Sequence, residues 1–145
     1  MAFVKFGRQV EPDHVWDPKD EYIKNAVMFD KDDIGKLKIC SNENLLHYLS
    51  KAILVYYLKR LKHRCCCEVE VIGCGVGDVL DIDCNVLYEL ESEQCSSDIM
   101  KRKKVFLNAG IDLVIIKLPQ HTMDFGEIAE YIRRFIRPDG PAGRR

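Results

Sequence analysis

No run of apolar residues in this chain of 145 approaches the roughly 18–20 needed to cross a bilayer as a helix. The opening Met-Ala-Phe-Val-Lys-Phe-Gly-Arg also lacks the uninterrupted apolar stretch of a secretory signal. Membrane-spanning and exported classes are therefore set aside, and a cytoplasmic, intracellular protein is expected. Net charge is nearly absent: 22 Lys and Arg against 23 Asp and Glu leave −1. With 47% apolar and 31% charged residues, the chain lacks the composition of a disordered polymer and has the side chains for a real core. No Cys-x-x-Cys pair occurs among the seven cysteines, and their number is odd. Both facts argue against a disulfide framework, and mostly buried, reduced thiols are expected. Cys65, Cys66 and Cys67 are consecutive, so on a strand Cys66 points away from both neighbours. His63 beside this triplet is the one feature that suggests metal or redox chemistry there. There is no internal repeat, and the length suits one domain with a short appendage.

The near-zero charge averages over unlike segments. Residues 68–98 hold nine acids and no Lys or Arg. Lys59, Arg60, Lys62 and Arg64 precede them; Lys101, Arg102, Lys103 and Lys104 follow; Arg133, Arg134, Arg137, Arg144 and Arg145 close the chain. Basic runs are commonly solvated helix faces. If the acids converge in space, the layout instead describes an acidic pocket for a cation, rimmed by positive charge for phosphates.

Three segments follow from the punctuation. Residues 1–40, with Pro12 and Pro18, read as an N-terminal extension of loops and short strands, one of them at Lys36–Cys40. Residues 41–137 read as an α/β domain, and 138–145 as a flexible tail. Ser41 or Asn42 is the expected N-cap of a helix that runs to about Lys62 through Leu45, Leu49, Ala52, Ile53, Tyr56 and Leu61. Strands are expected at Cys65–Ile72, Asp78–Asp83 and Val86–Glu91, and the first two are separated by Gly73, Gly75 and Gly77. A helix over Ser96–Asn108, with Gly110 as C-cap, leads to an apolar strand at Asp112–Leu118, expected inside the sheet. Phe125–Ile136 is the last helix, with Phe125, Ile128, Ile132 and Phe135 on its apolar face.

A tight turn at Cys84-Asn85 would pair Asp83 with Val86 and Asp78 with Glu91. Asp78, Leu80 and Ile82 would then share a face with Leu87, Glu89 and Glu91. Opposed acids weaken a sheet, and a hard cation with oxygen ligands is the simplest offset.

Gly77-Asp78, then Glu89-Leu90-Glu91 eleven residues on, within a helix, three strands, helix and strand, resembles the PD-(D/E)XK nuclease superfamily. That group includes Holliday junction resolvases and many restriction endonucleases. The resemblance covers about residues 43–118. It implies a restriction endonuclease-like core in the order α-β-β-β-α-β-α, a mixed sheet flanked by helices. It further implies Mg²⁺- or Mn²⁺-dependent hydrolysis of phosphodiester bonds in DNA, with Asp78 and Glu89 as metal ligands. Some branches carry a Glu on the first helix, and others a His followed four residues later by Lys. Glu43, His47 and Lys51 have that spacing. His47 is therefore expected as a further metal ligand and Lys51 as a catalytic residue, with Glu43 the weaker candidate. The usual motif lysine is Glu91 here, so Glu91, or Lys101, Lys103 or Lys104, would position or deprotonate the water. Lys59, Arg60 and Lys101–Lys104 would bind backbone phosphates without reading sequence. Cutting two strands implies a homodimer.

Two other readings compete. A nucleic-acid-binding protein that keeps the fold but is catalytically silent would explain the missing lysine. Val-Ile-Gly73-Cys74-Gly75-Val76-Gly77 looks like the loop of an S-adenosylmethionine-dependent methyltransferase, but that motif needs a helix directly after its glycines.

Overall fold

The computed structural model describes residues 3–4, 21–24, 27–39, 43–71, 75–91, 111–119 and 124–138. Within them the chain is α/β. Seven strands lie in chain order in one mixed sheet: β1 (Phe3–Val4), β2 (Glu21–Lys24), β3 (Val27–Asp30), β4 (Cys65–Val71), β5 (Gly75–Asp81), β6 (Val86–Glu91) and β7 (Asp112–Lys117). The β1–β2 and β6–β7 pairs are parallel and the others antiparallel. The expected helix over Ser96–Asn108 with its cap Gly110, the run Lys101–Lys104 and the tail beyond 138 lie outside the described residues.

Helix α1 (Leu45–Arg60) starts at Asn44, whose side chain accepts the His47 N–H, and not at Ser41 or Asn42. It contains no Gly or Pro. It closes with paired bonds from Lys62 N–H to the Lys59 carbonyl and from His63 N–H to the Leu58 carbonyl. Lys62 takes the left-handed conformation (φ 62°) that such a cap requires. The buried stripe is also not the expected one. Ser50, Lys51, Ile53, Leu54, Val55 and Leu58 are buried, while Leu45 (71% exposed) and Tyr56 (56%) face outward. Apolar residues lie nearly all round this helix, so apolar spacing alone could not choose its inner face.

The sheet divides two cores. Leu54, Val55 and Leu58 of α1, with Ile128 and Ile132 of α2 (Phe125–Arg133), pack on Cys65, Cys67, Val79, Val86, Tyr88 and Leu90. Phe125, expected on the apolar face of α2, is 61% exposed. The opposite face joins Val27, Phe29, Cys66, Val69, Leu80, Leu87 and Leu113. Val27 and Phe29 belong to the N-terminal extension, whose β3 pairs directly with β4. The extension therefore continues the same sheet. No strand forms at 36–39, the described part of the strand expected at Lys36–Cys40; Ile39 is exposed there. Strand β7 ends the described sheet order and is not interior to it. Its apolar centre has another cause: Leu113 faces one core, and Val114 and Ile116 face the other.

The β5–β6 hairpin corrects the expected register. Val79 pairs with Tyr88, Leu80 with Leu87 and Asp81 with Val86, two residues out from the expected pairing. The turn spans residues 82–85 because Asp81 accepts the N–H groups of Asp83 and Cys84, and Asn85 takes a left-handed conformation (φ 57°). An even shift preserves faces, so Leu80 and Leu87 still share one.

Candidate functional site

Glu43, just before the N-cap Asn44, lies beside His47 and Lys51 in the first turns of α1. Glu43 Oε1 lies 2.5 Å from His47 Nδ1 and 2.7 Å from Lys51 Nζ. His47 Nε2 then reaches Asp78 Oδ1 on β5 at 3.4 Å. Asp78 Oδ2 accepts the Leu90 N–H of β6 at 2.7 Å. The structure thus brings His47, Lys51 and Asp78 into one polar chain that begins at Glu43.

Its far end is Glu68, which the motif reading missed. Lys51 Nζ donates to Glu68 Oε1 at 2.6 Å. Glu68 has φ 53°, a conformation that costs a side-chain-bearing residue about 1–2 kcal/mol. The reversal changes which face the strand presents. Cys65 and Cys67 belong to the helix-side core, but Val69 belongs to the opposite one. Glu68 is thereby aimed at α1. Nothing in Cys-Cys-Cys-Glu-Val-Glu-Val signals that break, because Cys67 and Val69, two apart and both apolar, read as one face. Asp78 turns towards α1 as well, so the expected shared face of Asp78 with Glu89 and Glu91 is not formed as the simple alternation required.

Electrostatics lock this chain. The hydrogen bond to Asp78 raises the His47 pKa to about 9, against burial and with help from Glu43. Burial pulls the Lys51 ammonium down, but Glu43 and Glu68 outweigh it and the net direction is up. Lys51 is 0% exposed and the Glu43 side chain 1%. Both ring nitrogens of His47 face carboxylates, where the sequence reading expected a metal ligand.

Glu89 is buried on β6, and its Oε1 would lie 3.2 Å from a Cβ placed on Gly77. Glu91 is half-buried at the end of β6, beside Lys117 in the parallel register. Lys59 and Arg60 are exposed in the last turn of α1. At 1.5 Å per residue, Lys59 is about 18 Å along the helix from His47. Among the described residues, the only three His, Cys, Asp or Glu side chains with ligand atoms all within 4.8 Å are His63, Asp81 and Cys84, at the other end of β5. Asp78, Glu89 and His47 therefore do not form an all-protein cage. A hard cation that takes one or two carboxylates and keeps several waters does not need one.

Comparison with protein-family models, curated proteins and solved structures finds no match for this chain. No helix among the described residues is long and apolar enough to cross a membrane.

Proposed function

We propose that the chain is a metal-dependent nuclease of the PD-(D/E)XK type, acting on phosphodiester bonds in DNA. One observation carries this reading: α1 and the residue before its N-cap, β4 and β5 bring Glu43, His47, Lys51, Glu68 and Asp78 into one polar chain that encloses Lys51, with the strand backbone reversed at Glu68. The order helix, three antiparallel strands, parallel strand, helix supports a restriction endonuclease-like arrangement. Strand β5 begins at Gly75 and runs through Gly77, where a helix would have to start, which argues against the methyltransferase loop.

Asp78 and Glu89 would hold Mg²⁺ or Mn²⁺. The donors are carboxylate oxygens on adjacent strands, the type a hard ion takes, but Asp78 turns towards α1 while Glu89 lies against Gly77, so holding one ion together requires one of them to swing. The ion supplies a bound water of lowered pKa and offsets charge on the scissile phosphate. His47 holds Asp78 in place from one side and the Leu90 N–H from the other. Lys51 acts by positioning, since its ammonium is enclosed by Glu43 and Glu68. Glu91 would orient or deprotonate the attacking water. Lys59, Arg60 and Lys101–Lys104 would take backbone phosphates. Two such sites in a homodimer would cut both strands.

The enclosure of Lys51 favours a second reading, a catalytically silent DNA-binding protein with this fold. Supercoiled plasmid and a branched DNA incubated with Mg²⁺, Mn²⁺ or chelator, with Asp78→Asn and Glu89→Ala in parallel, separate the two. Cleavage that requires metal and is lost in both variants is expected. Binding without cleavage would replace the nuclease with the silent protein. Cleavage unchanged in both variants would move the site elsewhere.

A further inference from the structure

The cap of α1 does more than end the helix. With Lys62 left-handed, His63 is delivered over the start of β4 and towards the β5–β6 turn. There it meets Asp81, which is fully buried, and Cys84, which is buried beside it. Asp81 is held rigidly: its Oδ1 accepts the N–H groups of Asp83 and Cys84, both at 3.1 Å. Its other oxygen, Oδ2, is thereby aimed at His63 Nδ1, 2.7 Å away. Cys84 Sγ lies 3.6 Å from the same nitrogen and 4.0 Å from Nε2.

That geometry selects among chemistries. A Cys–His–acid hydrolytic triad needs the thiol and the carboxylate on opposite ring nitrogens. Here both converge on Nδ1. Convergence of one nitrogen, one oxygen and one sulfur on a point describes a coordination site, and the sulfur rules out a preference for Mg²⁺ or Ca²⁺. Around a tetrahedral zinc, ligand atoms at about 2.0–2.3 Å from the metal stand roughly 3.3–3.6 Å from one another. The Sγ–Nδ1 distance already meets this. The Oδ2–Nδ1 distance must open by about 0.6 Å, a small swing for His63, which is half-buried in a connecting segment and not in a strand.

The geometry points to a binding site for a Zn²⁺-class transition-metal ion formed by His63, Asp81 and Cys84, with a fourth position for water. On binding, the Cys84 thiol gives its proton to solvent. The His63 ring presents the Nδ1 lone pair and carries its proton on Nε2. The ion ties the end of α1 to the β5–β6 turn. It lies about 10 Å along β5 from Asp78, three residues at roughly 3.3 Å each, and is independent of the nuclease reading.

Protein stripped with chelator is titrated with Co²⁺, and Zn²⁺ uptake is measured by equilibrium dialysis. One ion per chain is expected, with an intense near-ultraviolet thiolate-to-cobalt band. Cys84→Ser should abolish the band and weaken Zn²⁺ binding by about a hundredfold or more. His63→Gln, at a half-buried position with less risk to folding, should weaken it at least about tenfold. Asp78→Asn should bind Zn²⁺ at this site like the parent chain. No thiolate band in the parent chain overturns the proposal. So does a band retained in folded Cys84→Ser, or unchanged Zn²⁺ affinity in His63→Gln.

Discussion

Lys51 is the residue on which the candidate site turns. An ammonium with no solvent exposure is tolerated only because Glu43 and Glu68 both accept from it. The pair is therefore costly to break and not necessarily costly to replace as a whole. Lys51→Met should destabilise the fold by about 3–5 kcal/mol, because it removes the buried ammonium that both Glu43 and Glu68 face. Urea unfolding measures this. Adding Glu68→Gln to Lys51→Met should recover part of the loss, since one of the two stranded charges is gone; a double variant no better than the single would mean that Glu68 is not the partner that matters. The reversed backbone at Glu68 fits the same picture, as strain persists where surrounding contacts over-determine it.

At the scale of elements, strands β5 and β6 depend on a missing side chain. A Cβ on Gly77 would stand 2.9 Å from Leu87 Cδ1 and 3.1 Å from Cδ2, as well as against Glu89. Leu87 is fully buried and has little room to move. Gly77→Ala should therefore cost about 1–3 kcal/mol by overpacking. If Glu89 is a metal ligand, the same change should weaken Mg²⁺-dependent cleavage. Thermal unfolding and the plasmid assay read the two effects separately. The glycines of 73–77 looked like punctuation in the sequence, but at Gly77 the requirement is close approach of a neighbouring strand's side chains and not a turn.

For the whole molecule, the cores on the two faces of the sheet hold the thiols of Cys65, Cys66 and Cys67 and the Tyr88 phenol neutral. Burial pushes Cys65 and Cys66 up to about 12, raises Cys67, and pushes Tyr88 up to about 12. Each group is easier to ionise in the unfolded chain, near 9 for a thiol and 10 for the phenol. Their contribution to stability is complete below pH 9 and is lost as pH rises from there towards 12. Urea midpoints should therefore drop gradually from about pH 6.5 to 9, as His47 loses the proton that its carboxylate partners hold, and fall further above about 9 as the thiols and the phenol ionise. A thiol reagent at about pH 8 should leave Cys65, Cys66 and Cys67 unmodified until the chain unfolds. A midpoint flat to pH 11 would contradict the placement of these groups in the core.

The sequence alone determined the α/β class, strands β4 and β6, helices α1 and α2 to within a few residues, the buried thiols of Cys65, Cys66, Cys67 and Cys84, and the four-residue spacing of Glu43, His47 and Lys51. These follow from local pattern, which neighbouring residues impose on one another. Only the tertiary structure decided the hairpin register, the inner face of α1 and the entry of Glu68. The register came from hydrogen bonds of the Asp81 side chain to its own turn. The inner face of α1 came from carboxylates on other segments that made burial of Lys51 possible. Glu68 came from a single reversed backbone angle. Each depends on a partner distant in sequence or on a conformation that side-chain alternation does not encode.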